Sequence, residues 1–243
     1  MTRMHQLHEV RSHRTLVHVT TPLTLAIDLG ASSLTAAAHD ASGERQTAAS
    51  AALETLSPQP GWAEQRPDDW MAALAGAVAA LGGQIALADV TEIRLDSTLQ
   101  ASVFLDGERE VIRPAILAGD RRAEAEAADI ERIVGHSLAW PAAAHLLWMR
   151  RHQAIAFKRV RMLLSPKGYL RFTSTGELWC EAEDAAATGL FDPGDGAWSE
   201  ATCGALEISL DILPPLRPGA TSLPLVDGAA ARLGLHAGIP VIG

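Results

Sequence analysis

The spacing of apolar residues in the first part of the chain predicts a series of short strands. Residues 25–27 are an apolar run typical of a buried strand, and a second run at 34–38 follows a small polar turn. A third strand is predicted from 45 to 56, beyond the turn Asp40-Ala41-Ser42-Gly43. Three later segments have the same strand-like character: 90–96, 101–105 and 111–117.

Helical spacing begins after the third strand. Pro67 lies in the first turn of a predicted helix, and Gly82-Gly83 predicts its end. One face of this helix carries four apolar side chains: Trp70, Leu74, Val78 and Leu81. Two further helices are predicted at 121–134 and 141–151. Strands that come first and then alternate with helices, without internal repeats, indicate a mixed α/β domain.

The turn between the first two strands carries the most distinctive polar chemistry. Asp28 stands at the end of the first strand, and Gly30, Ser32 and Ser33 belong to the turn. Because Gly30 has no Cβ, backbone N–H groups there could approach a bound oxyanion closely. Asp28 could hold a hydrated Mg²⁺ against the same phosphate. A phosphate-binding hairpin and an ordinary turn both fit this segment, and no helix follows it as in a GxxxxGKS loop.

Composition limits the classes of partner. The 243 residues are 48% apolar, enough for a large core in one domain or for two small domains. The net charge of −9 argues against nucleic acid or anionic lipid as a general partner. No apolar run reaches the roughly 18 residues of a membrane span. Cys180 and Cys203 make no disulfide framework, so we expect a reducing, cytoplasmic location.

Residues 1–23 predict a flexible tail ahead of the folded domain. They have little apolar periodicity and no stretch long enough for a secretory signal. They contain His5, His8, His13 and His18. A solvated tail and a metal site are both open, but the irregular spacing and the lack of acidic or cysteine ligands favour the tail. No metal site is therefore predicted.

Four segments carry a pattern that recurs in one enzyme family. They are LAIDLGASSLTAAAHDASGE (25–44), GWAEQRPDDWMAAL (61–74), RPAILAGDRR (113–122) and LLSPKGYLRFTSTGELWCEAEDAAATGLFD (163–192). In this order they resemble four features of the FGGY carbohydrate kinases, most closely the xylulose kinases: the opening phosphate hairpin, the GWxEQxPxxWW segment, the RPAILWNDGR stretch, and LLPKDYLRFRLTGE followed by SDASGTxLFD. The resemblance covers about residues 24–243 and implies the N-terminal, sugar-binding domain of that family.

The resemblance implies a ribonuclease-H-like α/β fold with a mixed sheet, shared with actin and hexokinase. Two such domains would enclose ATP and a sugar in a cleft. The implied reaction transfers the γ-phosphoryl group of ATP, with Mg²⁺, to a hydroxyl of a ketopentose or polyol. A carboxylate acts as the general base. Asp28, Gly30, Ser32 and Ser33 are the implied phosphate and Mg²⁺ positions.

The implied sugar positions are Thr98, Leu99, Gln100 and Asp120, and they depart from the family pattern. Thr98-Leu99-Gln100 stands where the family has Gln-Met-His, and Ala118-Gly119 replaces a Trp-Asn pair. Asp120 also precedes a predicted helix, so it could be an N-cap as well as a sugar ligand. Gln100 could instead bind backbone at a strand end.

The last residues, 239–243, form a predicted strand that the family continues into a GGGDN-like segment, whose Asp is the catalytic base. We therefore expect neither the catalytic base nor the nucleotide-binding lobe within these residues. Two functions remain open: the N-terminal lobe of an ATP-dependent sugar kinase, or a shortened, non-catalytic relative that binds a polyol or a protein. A bare sheet edge at 239–242 favours a homo-oligomer or association with a second kinase lobe.

Overall fold

The computed structural model describes residues 21–135 and 142–243. The four histidines of the predicted tail lie outside the described residues. The described strands are β1 Leu23–Leu29, β2 Ser33–His39, β3 Arg45–Ala52, β4 Glu64–Gln65, β5 Val90–Ser97, β6 Ala101–Leu105, β7 Ala115–Leu117, β8 Met162–Leu164, β9 Phe191–Asp192, β10 Ala197–Trp198, β11 Ser222–Pro224 and β12 Pro240–Ile242. The described α-helices are α1 Pro67–Leu81, α2 Glu124–Val134, α3 Ala142–His152, α4 Ala154–Phe157, α5 Pro166–Thr175, α6 Ala182–Ala187, α7 Glu200–Ala205 and α8 Asp227–Leu233.

A six-stranded mixed sheet, in the order β11-β12-β5-β1-β2-β3, forms the centre of the fold. β1, β2 and β3 are an antiparallel meander, whereas β1, β5 and β12 run parallel to one another. Side chains alternate along β1, so Leu25, Ile27 and Leu29 are buried on one face. That face packs against α1, α5 and α8 to form the larger core.

A second, antiparallel sheet, in the order β4-β7-β6-β8, stands beside the first. Phe104 of β6 and Ile116 of β7 belong to a second core that includes most of α3. The first eight residues of α3, Ala142 to Met149, are all buried, which places this helix inside the molecule. None of the described helices is long and apolar enough to cross a bilayer.

The observed elements confirm the mixed α/β class, but several predicted boundaries are wrong. The strand predicted to residue 56 ends at Ala52. The bare sheet edge predicted at 239–242 is also wrong, because β12 pairs with β11 on one side and with β5 on the other. The strand predicted at 111–117 forms only over Ala115–Leu117, because Pro114 lacks an N–H and restricts the residue before it. The helix predicted from residue 121 begins at Glu124, because Arg122 turns back to bind Asp120.

Candidate functional site

The carboxyl ends of β1 and β5 bring the hairpin residues beside the first sugar position. Asp28 is paired with Asp96 in the strand register, and both residues are exposed. A Cβ built on Gly30 would lie 3.8 Å from the hydroxyl Oγ1 of Thr98. Open α/β sheets bind their ligands at such carboxyl ends. Asp28, Gly30 and Thr98 therefore lie together at the carboxyl ends of β1 and β5.

Gly30 closes the hairpin through its own backbone. Its N–H donates to the carbonyl oxygen of Ser33 at 2.9 Å, and a Cβ here would lie 3.2 Å from that oxygen. The close approach at Gly30 is thus internal to the turn, and a side chain here would displace the Ser33 carbonyl slightly. Ala31 and Ser32 are exposed, and their N–H groups have no hydrogen-bond partner among the described residues. These two N–H groups, with the Ser32 hydroxyl, are the ones that could meet an anion.

Gln65 fixes the tip of this hairpin, a role that its sequence motif alone did not reveal. The side chain is 1% exposed, and its Nε2 donates to the carbonyl oxygen of Ala31 at 2.7 Å and to Thr55 Oγ1 at 3.0 Å. Its Oε1 accepts from Trp70 Nε1 at 2.8 Å. One buried amide therefore ties the hairpin to α1.

The three residues between β5 and β6 have different environments. The Leu99 N–H donates to the carbonyl oxygen of Leu29 at 3.0 Å, and the Leu99 side chain is buried. Thr98 and Gln100 are exposed. The Gln100 carbonyl accepts from the Ala118 N–H at 2.9 Å, but its side-chain amide has no partner in the described part of the chain. The Gln100 side chain is thus not bound to backbone at the strand end and is free to meet a ligand.

Gln100 lines a small, partly open depression of about 70 Å³ at the carboxyl ends of β1 and β5. Three segments form the depression: the end of β5 and the connection after it (Ser97, Leu99 and Gln100), the N-cap and first residues of α5 (Ser165, Pro166 and Lys167), and two residues of α6 (Asp184 and Ala187). In the sequence, Lys167 and Asp184 are marked only by their place in the fourth family segment.

Asp120 does not line this depression. Its side chain has no exposed surface, and its carboxylate accepts from the Ala63 N–H at 2.6 Å and from Nε and Nη2 of Arg122 at 2.8 and 2.6 Å. Burial alone would raise the pKa of Asp120, but these hydrogen bonds outweigh it and hold the pKa below its usual value. The predicted N-cap role is wrong, because the residue that caps α2 is Ala123.

Asp120 belongs to a buried ion network that joins the second and third family segments. Glu64 binds the guanidinium of Arg113 and lies 2.7 Å from Nη1 of Arg122. The Arg122 guanidinium stacks 3.7 Å from the ring centroid of Trp62. β4 and β7 pair where these segments meet. The network therefore holds the two segments together beneath the sugar positions.

Comparisons with known proteins identify the family of this chain. The family model described as "FGGY family of carbohydrate kinases, N-terminal domain" matches residues 23–243, so the chain belongs to this family. Xylulose kinase of Escherichia coli (strain K12) is 32% identical over 226 residues, which are 90% of this chain and 47% of that protein. Xylulose kinase of Klebsiella pneumoniae is 34% identical over 203 residues, 80% of this chain and 42% of that protein.

Solved structures give the same result. A xylulose kinase ("xyloylose kinase") from Brucella ovis has a TM-score of 0.80 and 33% identity, covering 91% of this chain and 48% of that one. The xylulose kinase from Rhodospirillum rubrum has a TM-score of 0.84 and 25% identity, covering 91% and 49%. The chain thus spans about half the length of these relatives. The sugar-kinase neighbours confirm the ribonuclease-H-like fold of the actin and hexokinase type.

Proposed function

We propose that this chain is the N-terminal, sugar-binding lobe of a cytoplasmic, ATP-dependent kinase that phosphorylates a ketopentose such as xylulose. The observation that carries the proposal is the position of the Asp28 hairpin at the carboxyl ends of β1 and β5. There it lies next to Thr98 and to the depression lined by Gln100. Relatives named xylulose kinases support the choice of sugar. A partner lobe would close over this site and supply the adenosine contacts.

The hairpin residues fit the phosphate side of this reaction. Asp28 is an exposed carboxylate that could hold a hydrated Mg²⁺, which usually keeps several waters and takes one or two protein carboxylates. The free N–H groups of Ala31 and Ser32 would orient a phosphate, with the Ser32 and Ser33 hydroxyls beside them. Bound Mg²⁺ would neutralise charge on the transferred phosphoryl group. The protein groups would supply position and hydrogen bonds, which are the main contributions to phosphoryl transfer.

A second candidate function is a sugar-binding module without catalysis. The observation in its favour is the state of Asp120, whose carboxylate is occupied by Arg122 and Ala63. Ala118 also offers only a methyl group for packing against a sugar, where the family has a tryptophan. A weak polyol site without efficient phosphoryl transfer would fit both features.

Two measurements test the proposal on protein expressed from the complete reading frame. Calorimetry with D-xylulose should show binding that Gln100→Ala weakens about ten-fold, since a lost hydrogen bond of about 1.4 kcal/mol has that effect. Gln59→Ala, an exposed glutamine elsewhere, is the control. Release of ADP from MgATP should depend on D-xylulose and be lost in Asp28→Asn but not in the exposed Asp195→Asn. Binding without ADP release would support the module, and no binding would contradict both.

A further inference from the structure

Two charged residues of the depression are held in place by the ends of two helices. Ser165 caps α5, because its Oγ accepts from the Gly168 N–H at 3.0 Å. The same hydroxyl donates to Asp184 Oδ2 at 3.2 Å, which links α5 to the first turn of α6. Lys167 Nζ lies 3.6 Å from Asp184 Oδ1. Both side chains line the depression next to Gln100.

A buried anchor fixes the position of Lys167. Its Nζ donates to Glu181 Oε2 at 3.0 Å, and the other carboxylate oxygen of Glu181 binds the Arg171 guanidinium. Arg171 is 1% exposed, stacks 3.7 Å from the ring centroid of Trp179 and donates to the Trp179 carbonyl at 3.0 Å. Side chains that are held in this way lose little conformational entropy when a ligand binds.

The two residues keep hydrogen-bonding capacity for a ligand. The Lys167 ammonium has three N–H donors and uses one of them on Glu181. The 3.6 Å separation from Asp184 is too long for a good hydrogen bond, so Asp184 Oδ1 can accept from a ligand. Lys167 and Asp184 side chains retain 12% and 23% exposure toward the depression. The free Gln100 amide adds both a donor and an acceptor.

The charges of the depression favour a neutral ligand. Lys167 and Asp184 cancel each other, and Glu181 behind them is balanced by Arg171. Burial would lower the pKa of Lys167, but Asp184 and Glu181 outweigh that effect and raise it, so the amine stays charged. Neighbouring hydroxyls, each able to donate and accept, match this alternation of ammonium, carboxylate and amide. Asp120, turned inward, cannot supply such contacts.

We infer that Lys167 and Asp184, together with Gln100, bind adjacent hydroxyl groups of the sugar or polyol and determine which one is accepted. This inference rests on the proposed function, because it assigns the hydroxyl contacts of the same site. The Asp184 carboxylate accepts a hydrogen bond from one hydroxyl, and the Lys167 ammonium donates a hydrogen bond to the oxygen of the neighbouring hydroxyl.

Calorimetry with D-xylulose provides the first test. Asp184→Asn and Lys167→Met should each raise the Kd about ten-fold or more. Glu183→Gln removes the same charge from an exposed residue of α6, and Lys158→Met changes the other lysine of the chain; both should leave the Kd within two-fold. Urea denaturation of each variant verifies that it is folded at the assay temperature.

Singly deoxygenated ketopentoses separate direct contact from a structural effect. Removing the hydroxyl bound by Asp184 should weaken binding to the wild type about ten-fold but hardly change binding to Asp184→Asn, a coupling that a structural role would not produce. If Gln100→Ala weakens D-xylulose binding while both charge variants bind like wild type, this inference is wrong and the proposed function stands. If the wild type binds no sugar, both are wrong.

Discussion

At the scale of single residues, Gln65 is the most informative side chain outside the depression. Gln65→Leu keeps the size of the side chain but removes its bonds to Ala31, Thr55 and Trp70. Because the Trp70 indole N–H would then be buried without a partner, we expect the free energy of unfolding to fall by about 1–3 kcal/mol. Urea denaturation measures this change, and the exposed Gln59→Leu is the matched control. Equal stability of the two variants would refute the proposed tie.

The second prediction at the residue scale concerns the effect of Asp120 on the free energy of unfolding. Asp120→Asn removes the charge that balances Arg122, whose side chain is fully buried. Loss of one member of a buried ion pair costs about 3–5 kcal/mol, and we expect about 3 kcal/mol because Glu64 still faces Arg122. Asp129→Asn breaks only exposed pairs and should cost less than about 1 kcal/mol. Chemical denaturation compares the two, and similar losses would contradict the role of the network.

Asp120 also marks the limit of prediction from sequence at the residue scale. Its chemistry and its place after a strand were visible in the sequence. The direction of its side chain was not, because it depends on the Ala63 N–H, more than fifty residues away, and on Arg122, which Glu64 and Trp62 hold in place. The sequence left the role of Gln100 open, and the structure narrows it: Gln100 lies in the three-residue connection between β5 and β6, and its side chain has no hydrogen-bond partner among the described residues.

At the scale of elements, regular patterns were predictable and short pairings were not. α1 was predictable because its apolar spacing, initial proline and terminal glycines all indicate the same helix. The two-residue strand β4 carries no periodic signal and exists because it pairs with the distant strand β7. β9 and β10 are equally short and pair only with each other across a turn. The start of α2 shifted because a local ion pair with Asp120 competes for Arg122.

A prediction for elements contrasts the packed α1 with the surface of α2. Leu74 of α1 is 1% exposed in the larger core, so Leu74→Ala should lower the free energy of unfolding by about 2–5 kcal/mol through lost burial and a cavity. Ile133 of α2 is 49% exposed, and Ile133→Ala should change it by less than about 1 kcal/mol. Thermal and urea unfolding test the contrast; a small effect at Leu74 would mean that the core around α1 relaxes to fill the space.

At the scale of the whole molecule, the four family segments meet in groups that the linear order does not show. The hairpin segment contacts the second segment through Gln65, and the second contacts the third through Glu64. The fourth segment folds on itself through Arg171 and Glu181 and contributes Lys167 to the depression. The first three segments are thus joined to one another by side-chain contacts, and the fourth supplies most of the residues that line the depression.

The stability of the whole molecule should depend on pH through His145, which lies fully buried in α3 with its Nδ1 2.8 Å from Ser102 Oγ. Burial lowers the pKa of His145 to about 3. An unfolded histidine binds its proton near pH ~6.5, so between about pH 6.5 and 3 the unfolded chain holds one more proton than the folded chain. The free energy of unfolding should therefore fall with decreasing pH, with up to about 1.4 kcal/mol per pH unit coming from this residue.

The double variant Ser102→Ala with His145→Leu removes both polar groups together. Urea denaturation at about pH 7, 6, 5 and 4 gives the slope of the free energy of unfolding against pH, which should be shallower in this variant by that amount. Identical slopes for wild type and double variant would show that other groups set the acid stability.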